Sequence, residues 1–213
     1  MKGNFGLDIA ASITRNDGLS LEALVDKILR DSVMIAEVGS WKGMSATIFA
    51  QRVATSNGRV FCIDHWRGSP GSIEVRPAMR RDILATFRFN IQILGFQDVI
   101  HPFVVDSLTA TRVFANELFD LVFIDADHRY ESVKRDILAW LPKVRKGGIL
   151  CGHDCECQYS RLPKAARGGV DKNLDKDYVF LGGYHPGVIK ALYDIFNDEY
   201  NLLRDTIWCV ERK

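Results

Sequence analysis

Apolar positions along this chain follow two alternating rhythms. Short runs of consecutive hydrophobic residues give way to longer stretches in which they recur every three to four positions. That alternation predicts a mainly parallel sheet whose strands are joined by crossover helices. A leading helix is expected over 19–29, with Leu21, Leu24, Val25, Ile28 and Leu29 on one face and Ser20 as its cap. Strand one is expected over 33–38. It runs into Gly39-Ser40-Trp41-Lys42-Gly43 and then a helix through Ala50 and Val53 to the Asn57-Gly58 stop. Strand two covers 59–63 and ends at Asp64, and a loop at 68–71 leads into one long helix over about 77–94. Strand three, 100–105, ends at Asp106-Ser107. Strand four covers 118–124, the next helix 130–141 and strand five 149–152.

After strand five the rhythm fails. Residues 156–184 are rich in Gly, Lys, Arg and Asp with weak periodicity, which predicts a lid or a disordered segment. A helix over 186–196 follows. The runs 199–203 and 206–211, split by Arg204-Asp205, then read as a closing hairpin. No internal repeat or low-complexity tract interrupts the pattern. A length of 213 residues suits one domain with a sizeable core, residues 1–31 forming an N-terminal helical segment.

Composition narrows the class. Hydrophobic content of 47% beside 26% charge is the balance of a soluble globular protein. A net charge of +1 gives no electrostatic footprint for nucleic acid, and no apolar stretch approaches the length of a membrane span. The start, Met1 to Asp8, has no apolar secretory core, so a cytoplasmic location is the expectation. The five cysteines are an odd number, and Cys62, Cys151 and Cys209 lie in strand-like runs. They read as buried thiols rather than disulfides.

The candidate chemistry concentrates where strands stop. Phe119 to Ile124 is an apolar run ending in Asp125-Ala126-Asp127-His128, and Ile149 to Gly152 ends in His153-Asp154. One helix joins these two strands, so their carboxyl ends share the sheet edge at which open α/β folds bind ligands. Carboxylates and imidazoles converging there suit a divalent cation, and oxygen-rich sets favour magnesium, calcium or manganese. Any one of these residues alone could be a satisfied loop residue, and a lone histidine beside a helix start is more often structural; two such endings on adjoining strands favour function. The stretch Cys151 to Cys157 also admits zinc, although it lacks a C-x-x-C pair.

Nearer the start, the glycines of Glu37-Val38-Gly39-Ser40-Trp41-Lys42-Gly43 let the backbone approach a ligand closely. The spacing is not G-x-G-x-x-G, so no dinucleotide is specified. Trp41 is either a loop anchor or a pocket wall. Asp64 is placed to accept hydrogen bonds from ribose hydroxyls, with a cap as the bland alternative. Asp106-Ser107 either caps the helix that follows or touches an adenine ring.

On these residues the chain resembles class I S-adenosylmethionine-dependent methyltransferases, over most of its length from about Ile35. It is most similar to the metal-dependent O-methyltransferases of the caffeoyl-CoA and catechol type and to the macrocin-type, cephalosporin-hydroxylase-like group. The resemblance implies an α/β fold: a Rossmann-like three-layer sandwich with a seven-stranded, mainly parallel sheet and an antiparallel last strand. It implies S-adenosylmethionine as cofactor, bound by Glu37, Gly39, Ser40, Trp41, Ser45, Asp64, His65, Asp106, Ser107 and Asp125. It implies a divalent metal, Mg2+ or Ca2+, on Asp125, His153 and Asp154, with His128 as the base beside Asp125. His153 departs from the family, which carries an aspartate there. The expected reaction moves a methyl group to a hydroxyl of a small molecule, with no nucleic-acid or membrane partner, and family members are often homodimers. The rival readings are a nucleotide-cofactor oxidoreductase on a similar sheet and a non-catalytic protein that only binds the cofactor.

Overall fold

The computed structural model describes residues 7–9, 13–179 and 182–213. Most of the chain start examined for a secretory core, 1–6, therefore lies outside the described residues, as do 10–12 of the N-terminal segment and 180–181 of the expected lid. The elements in chain order are α1 (Arg15–Ile28), β1 (Met34–Val38), α2 (Met44–Val53), β2 (Arg59–Asp64), α3 (Val75–Arg80), α4 (Ile83–Ile93), β3 (Ile100–Val104), α5 (Ser107–Ala110), β4 (Phe119–Ile124), α6 (Tyr130–Trp140), β5 (Val144–Gly152), α7 (Lys164–Asp171), α8 (Pro186–Phe196), β6 (Asn201–Leu202) and β7 (Trp208–Glu211).

The strands form one seven-stranded sheet in the order β3-β2-β1-β4-β5-β7-β6. β1 pairs in parallel with β2 on one side and β4 on the other, β2 with β3, and β4 with β5. β7 runs antiparallel to both β5 and β6. This is the expected Rossmann-like sandwich. Strand order reverses between β1 and β4, and the carboxyl ends flanking such a reversal leave a crevice for ligands.

Helices cover both faces, so the central strands are apolar on both. All six residues of β4 are buried. Leu121 and Phe123 point into the core under α1, α2 and α4, while Phe119, Val122 and Ile124 point into the core under α6 and α8. Burying one such side chain is worth about 1.5–3 kcal/mol. The exception is Asp120, fully buried at the amino end of β4. It accepts hydrogen bonds from Arg30 and Arg145 and from the Met34 amide at 2.8 Å, tying β4 to the strand beside it.

Four local expectations are corrected. α1 starts at Arg15 instead of Leu19, because Thr14 and Asp17 close a capping box; Ser20, expected as the cap, is buried within the helix. The single helix expected over 77–94 is two. Arg81 is extended, and Asp82 caps α4 by accepting a hydrogen bond from the Ala85 amide at 2.9 Å. β5 starts at Val144, five residues early, because the pairing with β4 shifts register between Phe119 and Leu121 and then resumes. Residues 156–184 are not structureless: a 3-10 turn spans Tyr159–Arg161 and α7 packs on α8. The pair Gly168-Gly169 and a single buried position, Val170, hid that helix from the periodicity.

Candidate functional site

The glycine turn after β1 is shaped by crowding. Gly39 has φ +87°, and a Cβ there would lie 1.9 Å from the Asp125 carbonyl oxygen. The close approach follows from two parallel strands ending together: Gly39 N–H donates to the Ile63 carbonyl at 2.9 Å, and Asp125 N–H to the Val38 carbonyl at 2.8 Å. Asp64, at the end of β2, braces the turn. Its Oδ2 accepts from the Ser40 and Trp41 amides at 3.0 and 2.9 Å, and its Oδ1 from the Trp66 amide at 2.6 Å. The Trp66 indole N–H donates to the Trp41 carbonyl at 2.7 Å, locking the loops after β1 and β2 together.

A cavity of about 410 Å3 opens at this edge. Gly39, Ser40, Trp41, Ser45, Asp64, His65, Asp106 and Ser107 line one part of it, and Asp125, His128, His153 and Asp154 the other. Glu37 lies beneath, fully buried, its carboxyl raised to about 7 by burial; one of its oxygens has no hydrogen-bond partner. His65 is half-exposed and accepts from the Arg67 amide at 3.0 Å. Asp106 caps α5 through the Thr109 amide at 2.9 Å, so the capping alternative holds there, on the cavity wall. Ser107 Oγ donates to Asp136 at 2.6 Å and accepts from the Trp140 indole at 2.8 Å.

The acidic strand ends meet as a dense cluster. His128 Nε2 lies 3.0 Å from Asp154 Oδ2 and 3.5 Å from Asp125 Oδ1, while its Nδ1 lies 3.0 Å from Asp177 Oδ1. His153 Nδ1 lies 3.2 Å from Asp154 and 3.8 Å from Asp125, and its Nε2 is 3.3 Å from the buried Asp17 of α1. His185, at the residue just before α8, places Nδ1 2.6 Å from Glu156 and 3.6 Å from Asp154. Burial by itself would lower both His128 and His153. The facing carboxylates outweigh it, pushing His153 up to about 11 and His128 well above its usual range. The ordinary imidazole pKa that made His128 an expected base therefore does not apply in the ion-free cluster.

Other positions separate from the cluster. Asp127 turns away and accepts from the Arg129 amide and the Ser132 hydroxyl, each at 3.0 Å, fastening the start of α6. The zinc reading of 151–157 fails: Cys151 is buried in β5, Cys155 packs against Tyr200, and all five cysteines are free. Among the described residues, the groupings able to hold an ion are Asp125, His153 and Asp154, and His128, Asp154 and His185.

Sequence reasoning missed Asp17, Glu74, Glu156, Asp177 and His185. Glu74, whose carboxyl is raised to about 7 by burial and by Asp125 and Asp64, borders the 410 Å3 cavity and a second one of about 570 Å3. That second cavity also shares His128 with the first and is walled by Asp177, Tyr178 and His185. Among the described residues no helix is long and apolar enough to cross a membrane.

Comparison with known proteins places this architecture. An O-methyltransferase from Bacillus cereus, in complex with S-adenosylhomocysteine, superposes with a TM-score of 0.60 at 22% identity, covering 95% of this chain and 84% of that one. A methyltransferase from Podospora anserina, also bound to S-adenosylhomocysteine, gives 0.60 at 15% identity over 94% and 80%. An uncharacterized protein of Sinorhizobium fredii is 26% identical over 124 residues, 57% of this chain and 13% of its own, so the chain spans a small part of that relative's length. A family model described as a methyltransferase domain matches residues 36–155, from β1 through the glycine turn and past both acidic strand ends. With over half its length in that match and the strand order of the class I fold, this chain belongs to the methyltransferase domain family.

Proposed function

We propose that this protein moves a methyl group from S-adenosylmethionine to a hydroxyl of a small molecule with the help of a divalent cation. The observation that carries the reading is the continuity of the cleft. A backbone-built end at Gly39, Asp64 and Ser107 leads, within one cavity of about 410 Å3, into a carboxylate–imidazole end and then into a second cavity of about 570 Å3 with room for an acceptor. Methyl transfer is an in-line displacement, so it needs alignment of two substrates and a deprotonated oxygen. Alignment alone is worth roughly 7–11 kcal/mol in favourable cases.

The donor set fits a cation on Asp125, Asp154 and His153, and the buried His128 Nε2 lacks a hydrogen-bond partner beside them. A bound cation would lower the pKa of the acceptor hydroxyl. Asp177 holds His128 with its Nε2 turned into the cluster, away from the role of free base. His185 is better placed to take the proton. Its Nδ1 is engaged by Glu156 at 2.6 Å, which leaves Nε2 as the acceptor in the cavity that His185 walls. A net charge of only +1 and the small cavities favour a small-molecule acceptor over nucleic acid.

Calorimetry with S-adenosylhomocysteine and with NAD, followed by transfer of labelled methyl to a panel of phenols and sugars, tests the reading. Binding of the homocysteine compound and a labelled product are expected. Binding of NAD alone would favour the oxidoreductase, and binding without any product the non-catalytic alternative.

A further inference from the structure

We propose that the segment from Arg67 to Arg81, centred on α3, docks the protein on an anionic lipid surface. Ile73 and Met79 enter the bilayer, and Arg67, Arg76, Arg80 and Arg81 meet phosphate headgroups. The resemblance implied no membrane partner; this surface departs from that expectation and stands apart from the methyl-transfer site.

Exposure is the first argument. Ile73 and Met79 are each 81% exposed, the most open of the large apolar residues described. Single apolar side chains on a surface are ordinary, but these two share one firmly held segment. A Cβ on Gly68 would lie 2.8 Å from the Val75 nitrogen, so the loop after β2 closes on the start of α3. Ala78 packs on the core that contains Trp66 and Phe87. With that side fixed inward, Arg76, Met79 and Arg80, spaced i, i+3 and i+4, share the outer face of the helix.

Charge is the second argument. Residues 65–81 carry four arginines and one acid, Glu74, which lines both cavities. Among the described residues, the guanidinium groups of Arg67, Arg76 and Arg80 have no ion-pair or hydrogen-bond partner. Arg81 reaches Asp8 at 3.6 Å. Elsewhere Arg30, Arg52 and Arg212 each hold a carboxylate.

Unpaired arginines around apolar tips match the two layers of a bilayer surface, phosphates outside and acyl chains beneath. Nucleic acid offers the phosphates but stacks its bases on aromatic rings, and the side chains that stand out here are an isoleucine and a methionine. A protein partner asks for a broad complementary patch, whereas this surface turns on a six-residue helix. Pro70 to Glu74, just before α3, wall the second cavity, so docking through α3 brings the bilayer beside that cavity.

Sedimentation of the full chain with vesicles tests the proposal, using phosphatidylcholine alone and an equal mixture of phosphatidylcholine and phosphatidylglycerol. Binding to the mixture and not to phosphatidylcholine is expected, with release at about 1 M salt, where the screening length is about 3 Å. Arg76→Ala and Arg80→Ala should each weaken binding about fivefold. Ile73→Ser and Met79→Ser should each weaken it about tenfold. All four side chains are exposed, so the variants should fold and should bind S-adenosylhomocysteine as the unaltered protein does. No binding to the anionic vesicles, or equal binding by the variants, would overturn the proposal. Weakening by the arginine changes with none from Ile73→Ser or Met79→Ser would mean a site for polyanions such as RNA, and would overturn it as well. Vesicle binding by a protein that binds no S-adenosylhomocysteine would leave the docking surface standing and sink the methyl-transfer reading alone.

Discussion

The two ends of the cleft are built in opposite ways. The end formed by β1, β2 and β3 is made of backbone: a glycine turn held by Asp64 through the Ser40 and Trp41 amides, with Trp66 of the next loop on its other oxygen, and a helix start capped by Asp106. The end formed by β4 and β5 is made of side chains gathered from far apart, with Asp17 from α1, Asp177 from the segment after α7 and His185 from the start of α8. Backbone sites keep their shape through strand geometry. Side-chain sites keep theirs only while opposite charges and donors balance. A change at the first end should therefore act on fold and cofactor together, and one at the second on ion binding alone.

The largest effect is expected from Gly39→Ala. Its φ of +87° and a Cβ 1.9 Å from the Asp125 carbonyl leave no room, so β1 and β4 must separate. We expect loss of S-adenosylhomocysteine binding and a drop in stability of more than about 3 kcal/mol in urea unfolding. A folded variant with intact binding would show that the turn is not backbone-determined. Asp154→Ala tests the other end. It should abolish the rise in melting temperature given by a saturating divalent ion, about 2.7 kcal/mol at a hundredfold excess over Kd. On the proposed function adenosine would fill only the backbone-built end, so it should bind the variant and the unaltered protein alike. Loss of both responses would mean that the two ends are not separable.

The same contrast explains what the sequence revealed. The glycine turn, Asp64, Asp125 and His153-Asp154 were legible because each directly follows an apolar run, and strand alternation places such residues without tertiary information. Asp177 and His185 were not. One lies in the charged run Asp171 to Asp177 and the other between Tyr184 and Pro186, where no period marks a direction. Only the packing of α8 on α6 brings His185 to the cluster. A Cβ on Gly187 would lie 2.2 Å from the His128 carbonyl, so the two helix starts touch at that glycine. Asp125 and Asp154 do most to raise the pKa of His128, and the part that Asp177 adds was hidden for the same reason, since it is 49 residues away.

Asp64→Asn should act more mildly than the changes at Gly39 and Asp154. The amide keeps one accepting oxygen for the Ser40 and Trp41 amides but loses the charge and presents a donor to the Trp66 amide. A lost charge-assisted bond costs about 1.5–3 kcal/mol, so S-adenosylhomocysteine should bind roughly ten- to a hundredfold more weakly by calorimetry. Asp64→Ala should be worse, because it also releases the turn. Equal effects of Asn and Ala would make Asp64 a ribose ligand only, with no part in bracing the loop.

The last prediction concerns Asp136, buried behind the backbone-built end, and it is read against pH. Burial raises its carboxyl to about 6 from an ordinary 3.8, opposed by the bond from Ser107. Between those values the folded chain keeps a proton that the unfolded chain has released. Stability from this residue is thus fully present below about pH 3.8, falls as pH rises to 6 and is flat above. The difference amounts to roughly 3 kcal/mol across the window. Asp136→Asn has no proton to lose and can still accept from Ser107, so urea unfolding should show it gaining on the unaltered protein from pH 4.5 to 7. Parallel curves over that range would mean that Asp136 ionises freely, and that the wall behind the backbone-built end holds a charge where the packing calls for a neutral group.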